Sequence, residues 1–277
     1  MNESNVILTG LPRGGTTLVC YLLNQLPDIV ALHEPMDIKA MTKLKKPPLM
    51  MDYIERFFAE TRRSLLERHV APSKNSNGRI VPNPYSDAYS ENGVRKGRSP
   101  LGEVYFDKPL SDDFMLCVKH PAAFTALLPV LVKRFPCYAI VRNPLSVLAS
   151  WNSVAMPPRE GRSPTIERID KHFRYELKHF EDRFDRQIYM ITWYFKQYKL
   201  YLPESAIFRY EDVITSGGRA LQTITPKALT LNETFTNKNK NPLYDSDLMA
   251  FLARKLLAVD GAAVWDFYTR EQIMELV

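Results

Sequence analysis

No apolar run in these 277 residues approaches the about 20 that a helix needs to cross a bilayer, and the opening MNESN has no basic stretch of the kind that begins a secretory signal. The expectation is a cytoplasmic protein that is neither secreted nor membrane-bound. Cysteine is scarce. Cys20, Cys117 and Cys137 each lie inside an apolar segment, an odd number without metal-ligand spacing, and read as reduced, buried thiols. His172 and His179 lie seven apart on a helical pattern, but third and fourth ligands are missing, so a solvated helix face is expected and no metal. No internal repeat or low-complexity tract is visible.

Charge of one sign is in modest excess, 37 Lys and Arg against 31 Asp and Glu, and the net +6 would suit nucleic acid, an anionic surface or a polyanionic small ligand. The cations are dispersed apart from Lys39, Lys43, Lys45 and Lys46, and from Arg95, Lys96 and Arg98. Neither cluster interleaves with aromatics as in single-strand binders, so no nucleic-acid partner is expected. The oligomeric state is left open.

With 45% apolar and 25% charged residues, the chain reads as one α/β domain spanning 1–277. Short β-rich apolar runs recur at 6–9, 29–32, 114–118, 138–141 and 206–208, mostly with helical patterns between them. Runs without clean alternation fit strands covered on both faces, hence three layers: a central parallel sheet flanked by helices. Two excursions interrupt this layout. Residues 72–109 are rich in Ser, Asn, Gly and Pro, and 152–170 open with Pro157, Pro158 and Gly161. The aromatics Trp193, Tyr194, Phe195 and Tyr198 on the helical stretch that follows read as core. Ligands in parallel sheets bind at the carboxyl ends of strands. Arg13, Glu34, Lys119, His120, Arg142 and Tyr210 all fall just after a run.

The first of these strand ends has the strand-loop-helix layout that wraps backbone N–H groups around phosphate: an apolar run at 6–8, then GLPRGGTT from Gly10 to Thr17, then an apolar helical pattern. The nucleotidase pattern G-x-x-x-x-G-K-[ST] requires Lys at position 16, where this chain has Thr16. Such a loop can cradle a phosphate and offer two hydroxyls, but it lacks the lysine that reaches a γ-phosphoryl group. The local cation is Arg13, ahead of Gly14 and Gly15. That displacement suggests a nucleotide whose phosphate is the leaving group.

A second phosphate signal is YAIVRNPLSVLASW, from Tyr138 to Trp151. A strand ends at Arg142, Asn143 is a good N-cap, and Pro144 occupies the first helical position, where its missing N–H costs nothing. Arg142 projects at the strand tip and Ser150 lies two turns along the helix, so the two can grip one phosphate from two sides.

Together, R-G-G-T-T at 13 to 17 and R-N-P-L-S-V-L-A-S at 142 to 150 resemble the two nucleotide motifs of sulfotransferases that use 3'-phosphoadenosine 5'-phosphosulfate (PAPS), with a further echo in FRYEDV at 208 to 213. The likeness spans residues 5 to about 153. It implies a P-loop-type fold, sulfuryl transfer to a hydroxyl or amine, adenosine 3',5'-bisphosphate as product, and no metal requirement. By resemblance, Arg13, Gly14, Gly15, Thr16 and Thr17 hold the 5'-phosphosulfate, Arg142 and Ser150 the 3'-phosphate, and Tyr210 the adenine. Arginine at position 13 matches the bacterial and tyrosylprotein branches. The C-terminal R-K-G string of the cytosolic branch has no counterpart here, and a bacterial small-molecule or natural-product enzyme fits the chain better.

The acceptor needs a base, and two residues compete. Glu34, in the segment from Leu26 to Pro35, resembles the glutamate base of the tyrosylprotein and carbohydrate branches. His120, in CVKHP, lies about where the cytosolic enzymes keep a catalytic histidine, although their K-T-H has one more residue between cation and imidazole. Glu34 ranks first, with His120 second or sharing the task. Lys119 resembles the family lysine that contacts the sulfuryl group. His33 is expected on the face opposite Glu34. Glu34, Asp37, Asp87 and Glu91 near a cleft mouth would suit a cationic or polyhydroxylated small-molecule acceptor. The alternatives are a P-loop nucleotide kinase and a non-catalytic nucleotide-binding protein.

Overall fold

The five apolar runs become the five strands of one parallel sheet in the computed structural model, which describes residues 4–86, 88–91, 93–97 and 99–277. In chain order the strands are β1 (Asn5–Gly10), β2 (Ile29–His33), β3 (Val70–Lys74), β4 (Leu101–Tyr105), β5 (Met115–Lys119), β6 (Cys137–Val141) and β7 (Ile207–Arg209). The sheet order is β2-β5-β1-β6-β7, with every pairing parallel, while β3 and β4 form a separate antiparallel ribbon. The helices used below are α1 (Thr16–Leu23), α2 (Ile38–Lys43), α3 (Pro47–Arg68), α4 (Pro121–Leu131), α5 (Pro144–Asn152), α6 (Pro164–Ile169), α7 (Lys171–Glu176), α8 (Arg183–Tyr201) and α9 (Tyr210–Thr215).

Strand β1 shows why its residues are apolar without a break. Val6 and Leu8 belong to one core with Val19 and Leu22 of α1 and Val213 of α9, whereas Ile7 belongs to the other with Phe58 of α3, Phe124 of α4 and Tyr194 of α8. Both faces of the sheet are therefore covered, as a parallel sheet requires. The aromatics of α8 are core, with Tyr194, Phe195 and Tyr198 fully buried. All three cysteines are free and buried, and burial pushes the Cys20 and Cys137 thiols up to about 12.

The 72–109 excursion departs from the expected loop at its two ends, which pair as β3 and β4. Ala71 and Ser73 are buried on alternate positions of β3, a one-sided strand whose pattern Pro72 and the polar residues obscure. Between the two strands, the described residues carry only isolated bridges, including a parallel one from Arg95 to Val154 just after α5. The 152–170 segment holds a 3-10 turn at Pro157–Glu160 and then α6.

Two connections run apart at the centre of the sheet. From β1 the chain passes through α1 to β2 on one side, and from β6 it goes to β7 on the other, leaving a crevice at the carboxyl ends of β1 and β6. Trp151, fully buried on α5, donates its indole N–H to the Pro12 carbonyl at 2.8 Å and so ties α5 to the loop after β1.

Gly10 sets the spacing at this crevice. Its φ is +151°, and an added Cβ would lie 2.5 Å from the Ile140 carbonyl oxygen and 2.7 Å from the Ile140 Cγ2. Gly10→Ala should therefore destabilise the protein by about 1–3 kcal/mol, the usual cost of overpacking, read as a lower urea midpoint at unchanged m-value. An unshifted midpoint would mean that β6 gives way freely.

Candidate functional site

The loop between β1 and α1 is a tight wrap. The Gly14 N–H donates to the Leu11 carbonyl at 2.8 Å, and Arg13 and Gly15 both take positive φ, +70° and +100°. Gly15 is needed for more than its dihedral, since a Cβ there would meet the Tyr210 ring at 2.8 Å. Helix α1 starts without a side-chain cap, so its first N–H groups have no side-chain acceptor, and Gly15, Thr16 and Thr17 line a cleft of about 660 Å³.

Three guanidinium groups gather beside this loop. Arg13 donates through Nε to the Ser150 Oγ at 3.1 Å and through Nη2 to the Asn83 Oδ1 at 3.3 Å, and lies over the Tyr85 ring. Arg142 donates to the Arg13 carbonyl at 3.0 Å, to the Asn239 Oδ1 at 2.8 Å and to the Lys238 carbonyl at 2.6 Å, and lies over the Tyr210 ring. Arg95 donates to the Ser153 Oγ at 2.8 Å and more weakly to the Ser86 carbonyl at 3.4 Å. Among the described residues, none of the three has a carboxylate within ion-pair distance. Burial, with Arg95 and Arg142 as like-charged neighbours, lowers Arg13 to about 10, which still leaves it charged at neutral pH.

The second group is centred on Glu34. The residue takes φ +47° directly after β2, and its N–H donates to the Lys119 carbonyl at 2.9 Å. Its Oε1 accepts from Lys119 Nζ at 2.8 Å and its Oε2 from Lys74 Nζ at 2.5 Å. His33 Nε2 stands 3.6 Å from Oε1 and 3.4 Å from the Thr17 hydroxyl. The expected opposition of His33 and Glu34 is thus corrected, because strand alternation stops where Glu34 enters the left-handed region. Burial alone would raise the Glu34 carboxyl, but Lys119, His33 and Lys74 outweigh it and hold it well below the usual carboxylate range. Burial lowers His33 to about 4 and His120 to about 3, so both rings are neutral at pH 7.

His120 has a different setting from the one expected of a base. Its Nε2 accepts the Met36 N–H at 3.1 Å, which places the proton of the neutral ring on Nδ1 and leaves no free lone pair in this arrangement. The ring pins the turn after Glu34 from the start of α4.

The cleft brings together Arg13, Gly15, Thr16, Thr17, Glu34, Lys119, His120, Arg142 and Tyr210 on its walls, with Gly14 and Ser150 directly behind them. Arg13, expected with the loop after β1, turns instead toward Ser150 of the second motif. The sequence reading missed Lys74, Arg95 and Tyr244 as site residues, and all three line the same cleft together with Lys238. Lys74 and Arg95 sit in the excursion read as a loop, and only tertiary contact reveals them. Asp37 caps α2 by accepting the Ala40 N–H, and neither it nor Glu91 lines the cleft. Asp87 and Arg98 lie outside the described residues. Among the described residues, Glu34 is the carboxylate that lines the cleft, against Arg13, Lys74, Arg95, Lys119, Arg142 and Lys238.

No family model matches the chain, and no curated protein matches it in sequence. Among solved structures, the sulfotransferase STF1 from Mycobacterium tuberculosis H37Rv is similar at 10% identity, with 93% of this chain and 77% of that chain covered and a TM-score of 0.38. A likeness of that grade adds nothing to the argument from geometry.

The titrations carry a testable sign. A buried His whose folded value lies below its ordinary 6.5 binds fewer protons folded than unfolded, so stability falls as pH drops from about 6.5 toward the folded values. Glu34, depressed in the fold, contributes stability above its ordinary 4.5 that is lost as pH falls further. Unfolding free energy should therefore decline from pH 6.5 downward, and His120→Gln should flatten the part above pH 4.5. An identical pH slope in the variant would contradict the buried neutral imidazole.

Proposed function

We propose that the cleft binds PAPS and that the chain transfers its sulfuryl group to a hydroxyl or amine of a small-molecule acceptor. The observation that carries this reading is one cleft holding a phosphate loop with Thr16 in place of the nucleotidase lysine, a group of arginines without carboxylate partners among the described residues, and an ion-paired carboxylate. The residues fit the nucleotide on two counts. The start of α1 is uncapped, and the buried Nε of Arg95 lacks a partner among the described residues.

In this reading Gly14, Gly15, Thr16 and Thr17 hold the 5'-phosphate end through backbone N–H groups and hydroxyls. Arg142 and Ser150 hold the 3'-phosphate, and Tyr210, already stacked under Arg142, borders the adenine. Arg13, half-buried between the two motifs, offsets charge that builds on the nucleotide as transfer proceeds. PAPS supplies an activated sulfuryl group on a phosphate leaving group, with no metal required of the protein.

Glu34 takes the acceptor's proton at a carboxylate oxygen. Both oxygens are occupied by lysines, and the two lysines differ in freedom: the Lys119 side chain is 3% exposed and that of Lys74 is 40% exposed. Lys74 therefore yields Oε2 to the acceptor, while Lys119 stays fixed at the end of β5 to meet the sulfuryl group. His120 acts by holding the 34–36 turn. With six cations on the walls and one neutralised carboxylate among the described residues, the cleft does not favour a cationic acceptor. Ile38, Ala122, Ala123, Met156 and Pro157 give it an apolar wall, so the acceptor we propose is a neutral, largely apolar alcohol or phenol.

Two outcomes are expected. Adenosine 3',5'-bisphosphate should raise the melting temperature more than ATP with Mg²⁺ does, since a ligand bound only by the native state stabilises it. Equal stabilisation by ATP and Mg²⁺ would favour a nucleotide kinase instead. Glu34→Gln should lower turnover with a phenolic acceptor by roughly 10²–10⁴-fold, the usual share of a general base, with nucleotide affinity little changed. His120→Gln should cost less, and the reverse ranking would move the base to His120.

A further inference from the structure

Among the described residues, Arg62, Arg95, Arg159 and Arg209 carry a buried Nε without a partner, and Arg95 is the one of these that lines the cleft. It is 2% exposed. Ser99 follows four residues later, lines the same cleft, and its buried hydroxyl is also unpartnered among the described residues. Leaving a charged, buried N–H unpaired in a folded protein is costly, so an anionic acceptor is expected to complete it.

The frame around Arg95 aims it at the second phosphate motif. Its backbone N–H donates to the Ser153 carbonyl at 2.9 Å, and its Nη2 holds the Ser153 Oγ, which donates in turn to the Ser150 carbonyl at 3.0 Å. Ser150 is the residue whose hydroxyl accepts from Arg13. Arg13 and Arg95 thus converge on the last turn of α5. Tyr244 lines the same cleft, with Arg142, Arg13 and Arg95 as the cations near its phenol. Lys238, whose carbonyl accepts from Arg142, lines the cleft as well.

On the basis of the proposed PAPS reading, we infer that Arg95 and Tyr244 are specificity-determining residues that complete the second phosphate site and make the cleft select nucleotides bearing a 3'-phosphate monoester. Arg95 donates its free Nε to that phosphate, and Tyr244 turns its hydroxyl to the same oxygens. The chain in this way closes that site with its excursion and its 237–244 segment. A ligand with a single 5'-phosphate has nothing to place there and leaves the Arg95 Nε unpaired.

Calorimetry with adenosine 3',5'-bisphosphate and adenosine 5'-phosphate tests this without any turnover. The wild-type chain should prefer the bisphosphate by a factor of about ten or more, which one charge-assisted hydrogen bond supplies. Arg95→Met should erase most of that preference with 5'-phosphate affinity kept, Arg95→Lys should recover part of it, and Tyr244→Phe should lose a smaller share. A merely structural Arg95 would lower melting temperature and weaken both nucleotides alike, leaving the ratio unchanged and overturning the inference. If Arg95→Met does not fold, the ratios of Arg95→Lys and Tyr244→Phe decide on the same terms. A wild-type chain with no preference for the bisphosphate overturns the PAPS reading itself, whereas a wild-type preference that survives in the variants overturns only the role of Arg95 and Tyr244.

Discussion

Positive charge held without a carboxylate partner among the described residues is the constraint on which the rest of the site depends. Arg142 and Arg95 are nearly inaccessible, and each is oriented by neutral acceptors: carbonyls, an amide side chain and a serine hydroxyl. Such acceptors satisfy N–H groups but leave the net charge in place. Removing a cation from water costs several kcal/mol unless an opposite charge compensates, so the arrangement is complete only with an anion. The parallel sheet makes the arrangement possible. The carboxyl ends of β1 and β6 open the crevice, Trp151 locks α5 to the loop after β1, and Tyr210 fills the space under both Gly15 and Arg142.

The Glu34 group follows the opposite logic. Here two lysines surround one carboxylate so closely that its proton affinity is suppressed, which suits a resting state better than a base. A group that must accept a proton gains basicity when a cation leaves it. In the proposed transfer the unequal burial of Lys74 and Lys119 gives that event a direction, with the more exposed lysine turning away and the buried one fixed. His33 lies between this group and the loop after β1, its Nε2 3.4 Å from the Thr17 hydroxyl and 3.6 Å from the Glu34 carboxylate.

Much of this was legible in the residues themselves. Unbroken aliphatic runs such as Val6 to Leu8 and Ala139 to Val141 named the sheet, because a strand buried on both faces leaves no room for alternation. Asn143 and Pro144 named the start of α5, and Gly10, Gly14 and Gly15 named the wrap after β1, since each depends on local backbone chemistry alone. What stayed hidden depends on distant contact. Lys74 meets Glu34 across 40 positions, Arg95 meets Ser153 across 58, and Tyr244 joins the cleft wall from far along the chain. The inward turn of His33 was hidden too, because a positive φ at a glutamate has no sequence signature. Pro72 and the polar residues around it masked β3, whose buried positions are small and only one-sided.

The most direct measurement is a structure of the protein with adenosine 3',5'-bisphosphate bound. The account predicts the 5'-phosphate against the backbone of Gly14 to Thr17 and the 3'-phosphate within hydrogen-bond distance of Arg142 and of the Nε of Arg95, with the adenine bordered by Tyr210. It is contradicted by a nucleotide seated outside the cleft, or by a 3'-phosphate that points to solvent while the arginines keep their present partners.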